Sequence, residues 1–177
     1  MKHTKSKQMK NIYRLAASAL ALMVIGTQVN AQSTVTASTT ATLITPISIS
    51  KTYDMDFGTV AASSTSGTIV LDYANGTTAT GGASIPAGSA PKTAEFAVAG
   101  EGNSGFSISI PASAITLNGS VSGTLTVDNF AADLGSASTL SSGAATVKVK
   151  AILNVPANAV AGTYTNASDL FVTVNYN

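Results

Sequence analysis

The chain has 177 residues, a formal net charge of +1, 45% hydrophobic and 10% charged residues, one histidine, no cysteine and no tryptophan. Without cysteine there is no disulfide framework, thiol nucleophile or thiolate metal site, and one histidine, His3, is too little for a triad or a zinc site elsewhere in the chain. No basic patch is present, so nucleic acid is excluded as a partner.

Residues 1–31 read as an export signal. Lys2, Lys5, Lys7, Lys10 and Arg14 form a basic segment, Leu15 to Gly26 is apolar, and Val29-Asn30-Ala31 offers small residues before Gln32. The apolar run falls short of the roughly 20 residues that a membrane helix needs. No transmembrane segment is expected in the mature chain. Cleavage after Ala31 would remove five of the nine basic residues and His3, leaving four lysines against eight carboxylates and a net charge of −4. A mature chain of 32–177 is long enough for one domain that buries about 70% of its unfolded surface.

The mature chain alternates apolar and polar residues in the period-2 pattern of strands. Val35, Ala37, Thr39, Ala41 and Leu43 share one parity, and Pro46 interrupts before Ile47 and Ile49 resume it. Residues 32–45 are therefore either a free N-terminal extension or a first edge strand, ahead of a domain over 46–177. Met55 to Val60 reads as a short strand kinked at Gly58, and Thr68 to Asp72 as another that ends at the turn Asn75-Gly76. The Gly, Ala, Ser and Pro of 74–92 predict a long loop with at most a short strand near Ile85. Ala94, Phe96 and Val98, then Phe106, Ile108 and Ile110, predict a hairpin joined through Gly100–Gly105. Asn118-Gly119 predicts a two-residue turn between Ile115/Leu117 and Leu125/Val127, and residues 129–143 read as loop.

The longest predicted strand runs from Ala145 to Pro156, with Val147, Val149, Ala151, Leu153 and Val155 inward and Lys148 and Lys150 outward. A last strand places Leu170, Val172, Val174 and Tyr176 on the core face, and Asp169, Phe171, Thr173 and Asn175 on the other. Short strands with turns every 8–12 residues and no helical period predict an all-β, immunoglobulin-like β-sandwich with Greek-key connections.

Little of this sequence can carry chemistry. Glu95 sits on a polar strand parity and Glu101 in a glycine-rich turn, so both read as solvated carboxylates rather than as a glycosidase pair. Asp54-Met-Asp56 lacks the neighbouring acidic and glycine positions of a calcium loop. The sequons at Asn75, Asn118 and Asn166 read as turn chemistry. No cofactor and no metal is expected. Phe171 and Ile152, both on outward parities, would form a contact patch if their strands were neighbours.

Asp56-Phe-Gly-Thr-Val60, Phe96-Ala-Val-Ala-Gly100, Phe106-Ser-Ile-Ser-Ile-Pro111, Gly162-Thr-Tyr164 and Val172-Thr-Val-Asn-Tyr176 together resemble the bacterial family of domain of unknown function 4402. That family looks like a set of secreted, pilin-like domains of Gram-negative bacteria, similar to spore-coat-U-like and chaperone–usher pilus subunits. The last strand resembles the pilin chaperone-recognition motif, with Tyr176 as its penultimate aromatic and Val174, Val172 and Leu170 as its apolar row. The sequence departs from pilins in having no cysteine and in carrying Tyr164, two residues after Gly162, where pilins often place a glycine.

The resemblance implies a non-enzymatic secreted or cell-surface subunit, found in periplasm, cell surface or medium. Its partners would be further copies of itself or a periplasmic chaperone. Assembly would proceed by strand complementation through Val35, Ala37, Ala41 and Leu43 on a donor segment and Leu170, Val172, Val174 and Tyr176 on the acceptor. The alternative is a self-complete adhesion module that recognises a glycan or protein through loops 74–92 and 129–143.

Overall fold

The computed structural model describes residues 32–177, and the export segment expected at 1–31 lies outside them. The chain divides into two compact units, Met1–Ala41 and Thr42–Asn177. In the first, the described residues 32–41 belong to no strand and are exposed. The second is all-β and antiparallel. Its strands are β1 (Ser48–Tyr53), β2 (Gly67–Leu71), β3 (Thr77–Gly81), β4 (Ala94–Ala99), β5 (Gly105–Ser109), β6 (Ile115–Gly119), β7 (Thr124–Ala132), β8 (Ala137–Thr139), β9 (Ala144–Val155), β10 (Tyr164–Thr165) and β11 (Thr173–Tyr176). Among the described residues there is no helix, and so none long and apolar enough to cross a membrane.

The long strand β9 organises the larger sheet. Val147, Val149, Ala151, Leu153 and Val155 are buried while Lys148, Lys150, Ile152 and Asn154 are half-buried on the other face, as the alternation predicts. Along one edge β9 pairs first with β4, from Ala144↔Ala99 to Val149↔Ala94, and then with β2, from Ala151↔Leu71 to Val155↔Gly67. Its other edge pairs with β7, whose register slips between Asp128 and Ala131. This is a bulge with Asn129 at φ 53°. β1 extends the sheet beyond β4, β3 beyond β2, and β6 and β10 beyond β7. A second sheet has three strands in the order β11-β5-β8.

Two apolar clusters follow. Ile69, Leu71, Leu125, Val127, Ala151 and Leu153 pack at the β2 end of β9. Phe96, Val98, Val147 and Val149 from the larger sheet meet Phe106, Ile108 and Val174 from the smaller one at the β4 end. Phe106 is wholly buried, and burying one such side chain contributes about 1.5–3 kcal/mol.

Several local expectations change. No strand forms over 55–60. Asp56 makes a single bridge to Lys92, and its carboxylate accepts the Gly58 N–H at 2.7 Å. That local side-chain bond replaces a ladder partner and leaves Gly58 at φ +70°. The segment 74–92 holds a full strand, β3, paired to β2 through the Asn75-Gly76 turn, where Asn75 takes φ 66°. β4 and β5 do not form a hairpin. They lie in different sheets, because the rows carrying Phe96 and Phe106 fill one cluster from opposite sides. The β6–β7 turn is longer than two residues and closes from the Gly119 N–H to the Gly123 carbonyl, with Gly123 rather than Asn118 left-handed. Residues 129–143 hold the end of β7 and all of β8. The last strand is shorter than its apolar row, starting at Thr173, with Leu170 and Val172 half-buried ahead of it.

Candidate functional site

Glu95 lies half-buried on β4, 3.8 Å from the Lys148 ammonium. Asp54 pairs with Lys51 at 2.6 Å on an exposed surface, and Asp56 is committed to its own turn. Among the described residues no three His, Cys, Asp or Glu side chains come together as a metal site. Asn75 accepts the Thr93 N–H at 2.7 Å and Asn166 bonds Thr116 and Asp169, which are structural duties in turns. The segments that carry Phe171 and Ile152 are not ladder neighbours. Ile152 belongs to β9 in the larger sheet, and Phe171 precedes β11 of the smaller one.

Like β1, β3, β8 and β10, the last strand lies at the edge of its sheet. β11 pairs antiparallel with β5, Val174 opposite Ile108 and Tyr176 opposite Phe106; among the described residues it has no second ladder partner, though it also lies against β1. Unpaired strand edges are templates for pairing with another chain. The structure brings Leu170, Val172, Val174 and Tyr176 together on the second cluster, as expected, but only Val174 is fully buried. Leu170, Val172 and Tyr176 along this edge are half-buried. Ile47 and Ile49, from the start of the domain and β1, pack on the same cluster and are also half-buried.

The predicted donor residues show the opposite property. Val35, Ala37, Ala41 and Leu43 join no sheet, and all residues from 32 to 46 are exposed. Val35 and Leu43 are 90% and 92% exposed.

Within the second unit Thr45, Glu101 and Tyr176 form a hydrogen-bonded clasp that the sequence did not reveal. The Thr45 N–H donates to Glu101 Oε2 at 2.9 Å. Tyr176 Oη donates to the Thr45 carbonyl at 2.7 Å and accepts the Glu101 N–H at 2.5 Å. Gly100 makes this approach feasible, since a Cβ there would collide with Tyr176 Oη. Hydrogen bonding from Thr45, its backbone N–H foremost, holds the Glu101 carboxyl below the usual value. The one available signal was Glu101 standing as a lone charge in a glycine-rich turn.

No curated protein and no solved structure matches the chain. The family model described as Domain of unknown function (DUF4402) matches residues 47–176, which covers every strand and the Glu101–Tyr176 half of the clasp. With most of its length matched in this way, the chain belongs to the DUF4402 family.

Proposed function

We propose that the protein is an exported, non-enzymatic structural subunit of pilin type, an immunoglobulin-like sandwich that assembles at the Gram-negative cell surface by strand complementation. The occupant of the open β11 edge is residues 34–43 of a second copy. Backbone groups of that segment would complete the ladder beside β11, and Val35, Ala37, Ala41 and Leu43 would cover the half-buried Leu170 and Val172 beside the buried Val174. The observation that carries this reading is a paired mismatch: β11 has one edge without a partner, while Val35 and Leu43 are 90% and 92% exposed. Covering one such side chain contributes about 1.5–3 kcal/mol, enough over several positions to make exchange favourable. Export rests on the reading of 1–31 as a cleaved signal. The absence of histidine and cysteine from 32–177 supports a non-enzymatic role.

Size-exclusion chromatography with light scattering, on protein purified after expression of the full chain, tests this together with an unboiled denaturing gel. A ladder of heat-labile oligomers is expected. Val35→Asp with Leu43→Asp is expected to give monomer at unchanged melting temperature, because both residues are exposed before assembly and a charge inside a ladder lacks a partner. A sharp wild-type monomer overturns the reading and moves the search to ligands of the loops.

A further inference from the structure

Both backbone polar groups of Thr45 are taken by side chains, the N–H by Glu101 and the carbonyl by Tyr176. Pro46 follows and has no N–H to give. Backbone free to enter a ladder therefore stops at Ile44, and β1 begins afresh at Ser48. On the other side of the clasp, the Tyr176 hydroxyl is spent on Thr45 and Glu101 and its ring is packed on the second cluster. The Tyr176 end of the apolar row is thus occupied by the chain's own Thr45.

From this geometry we infer that Thr45, Glu101 and Tyr176 are positioning residues for strand exchange: a latch that fixes the root of the donor segment and ends the acceptor row at Val174. Tyr176 is then a stop rather than a docking position, and an incoming strand meets Leu170, Val172 and Val174. A fixed root also lowers the conformational freedom that ordering the donor segment must remove. The role in assembly rests on the function proposed above, whereas the latch itself does not.

Tyr176→Phe tests the latch, because it keeps the ring and its place in the row while removing both hydroxyl bonds. Glu101→Ala, in an exposed turn, removes the third bond without touching the core. Hydrogen exchange, read residue by residue on protein from the full chain, is the primary measurement. Either variant is expected to speed exchange at the Thr45 amide about tenfold, the scale of one lost hydrogen bond, and Tyr176→Phe is expected to do the same at Glu101. The Ile108 and Val174 amides should keep their protection. Unchanged exchange at Thr45 in both variants overturns the latch. So does a speed-up at Glu101 alone, since the segment root would then be held elsewhere. If Tyr176→Phe lowers protection throughout the domain, Glu101→Ala decides alone.

Oligomer yield is the second readout. Slower assembly of both variants supports the positioning role, and assembly at the wild-type rate with a loosened Thr45 rejects it. A wild-type chain that never assembles rejects the function proposed above and leaves the exchange result standing, so the two failures are distinguishable.

Discussion

Glu101 shows how one residue in this charge-poor chain acquires a task. Its carboxylate is exposed, so no large electrostatic energy is at stake, yet its hydrogen bonds from Thr45 lower its pKa from the ordinary 4.5. A carboxyl whose pKa is depressed by a native contact stabilises that contact above the unfolded value. It surrenders the stabilisation as the pH falls through the folded value. The clasp should therefore be whole at neutral pH and loosen below 4.5. The Thr45 amide resonance is the direct reporter, and its chemical shift should follow a titration with midpoint below 4.5, together with the Glu101 carboxyl carbon. A midpoint at or above that value would mean that the carboxylate is not bonded to Thr45. Beyond the lone charge of Glu101 in its glycine-rich turn, nothing in the amino-acid pattern marks this contact. Its three bonds join residues 56, 75 and 131 positions apart, and only the fold places them together.

Strands were legible in proportion to the contrast between their two faces. β9 alternates Val and Leu with Lys and Asn, and the buried set and the outward lysines are those that the alternation marks. β3 has the sequence Thr-Thr-Ala-Thr-Gly, with no apolar face to read, and is recruited by pairing to β2. Its partner strand begins at Gly67, opposite Gly81, where the backbone of the facing segment comes so close that a Cβ on Gly67 would collide with Ala83 N and the Thr80 carbonyl. Gly67→Ala is expected to cost about 1–3 kcal/mol through this overpacking, seen as a lower denaturation midpoint with unchanged slope. Full stability in that variant would show that the β2–β3 hairpin can shift away from the 82–84 segment. The predicted β4–β5 hairpin failed for a related reason. Two apolar rows separated by a glycine-rich turn look the same in sequence whether they pair edge to edge or face each other across a core. Here Phe96 and Phe106 face each other. The rows at 35–43 and 170–176 were legible by their period of two, but not that only the second would lie on a core, because alternation fixes a strand's faces and not its partner.

At the scale of the domain, β9 is the one strand that supplies buried residues to both apolar clusters, Ala151, Leu153 and Val155 to one and Val147 and Val149 to the other. β4 and β2 share a single edge of it in succession, and β7 runs along its other edge across the place where they change over. A strand shared in this way should make the two clusters unfold together. Leu71, wholly buried beside Ala151, tests the coupling from one end. Leu71→Ala is expected to cost about 2–5 kcal/mol. If the domain is one cooperative unit, native-state hydrogen exchange should show the same loss at the slowest amides of β5, around Phe106 and Ile108, although these lie in the other sheet and against the other cluster. A loss confined to β2, β3 and the Ala151–Val155 half of β9 would instead mean that the β4 end and the three-stranded sheet hold together alone. The open β11 edge would then sit on a separately stable half, and strand exchange there would proceed without drawing on the stability of the rest.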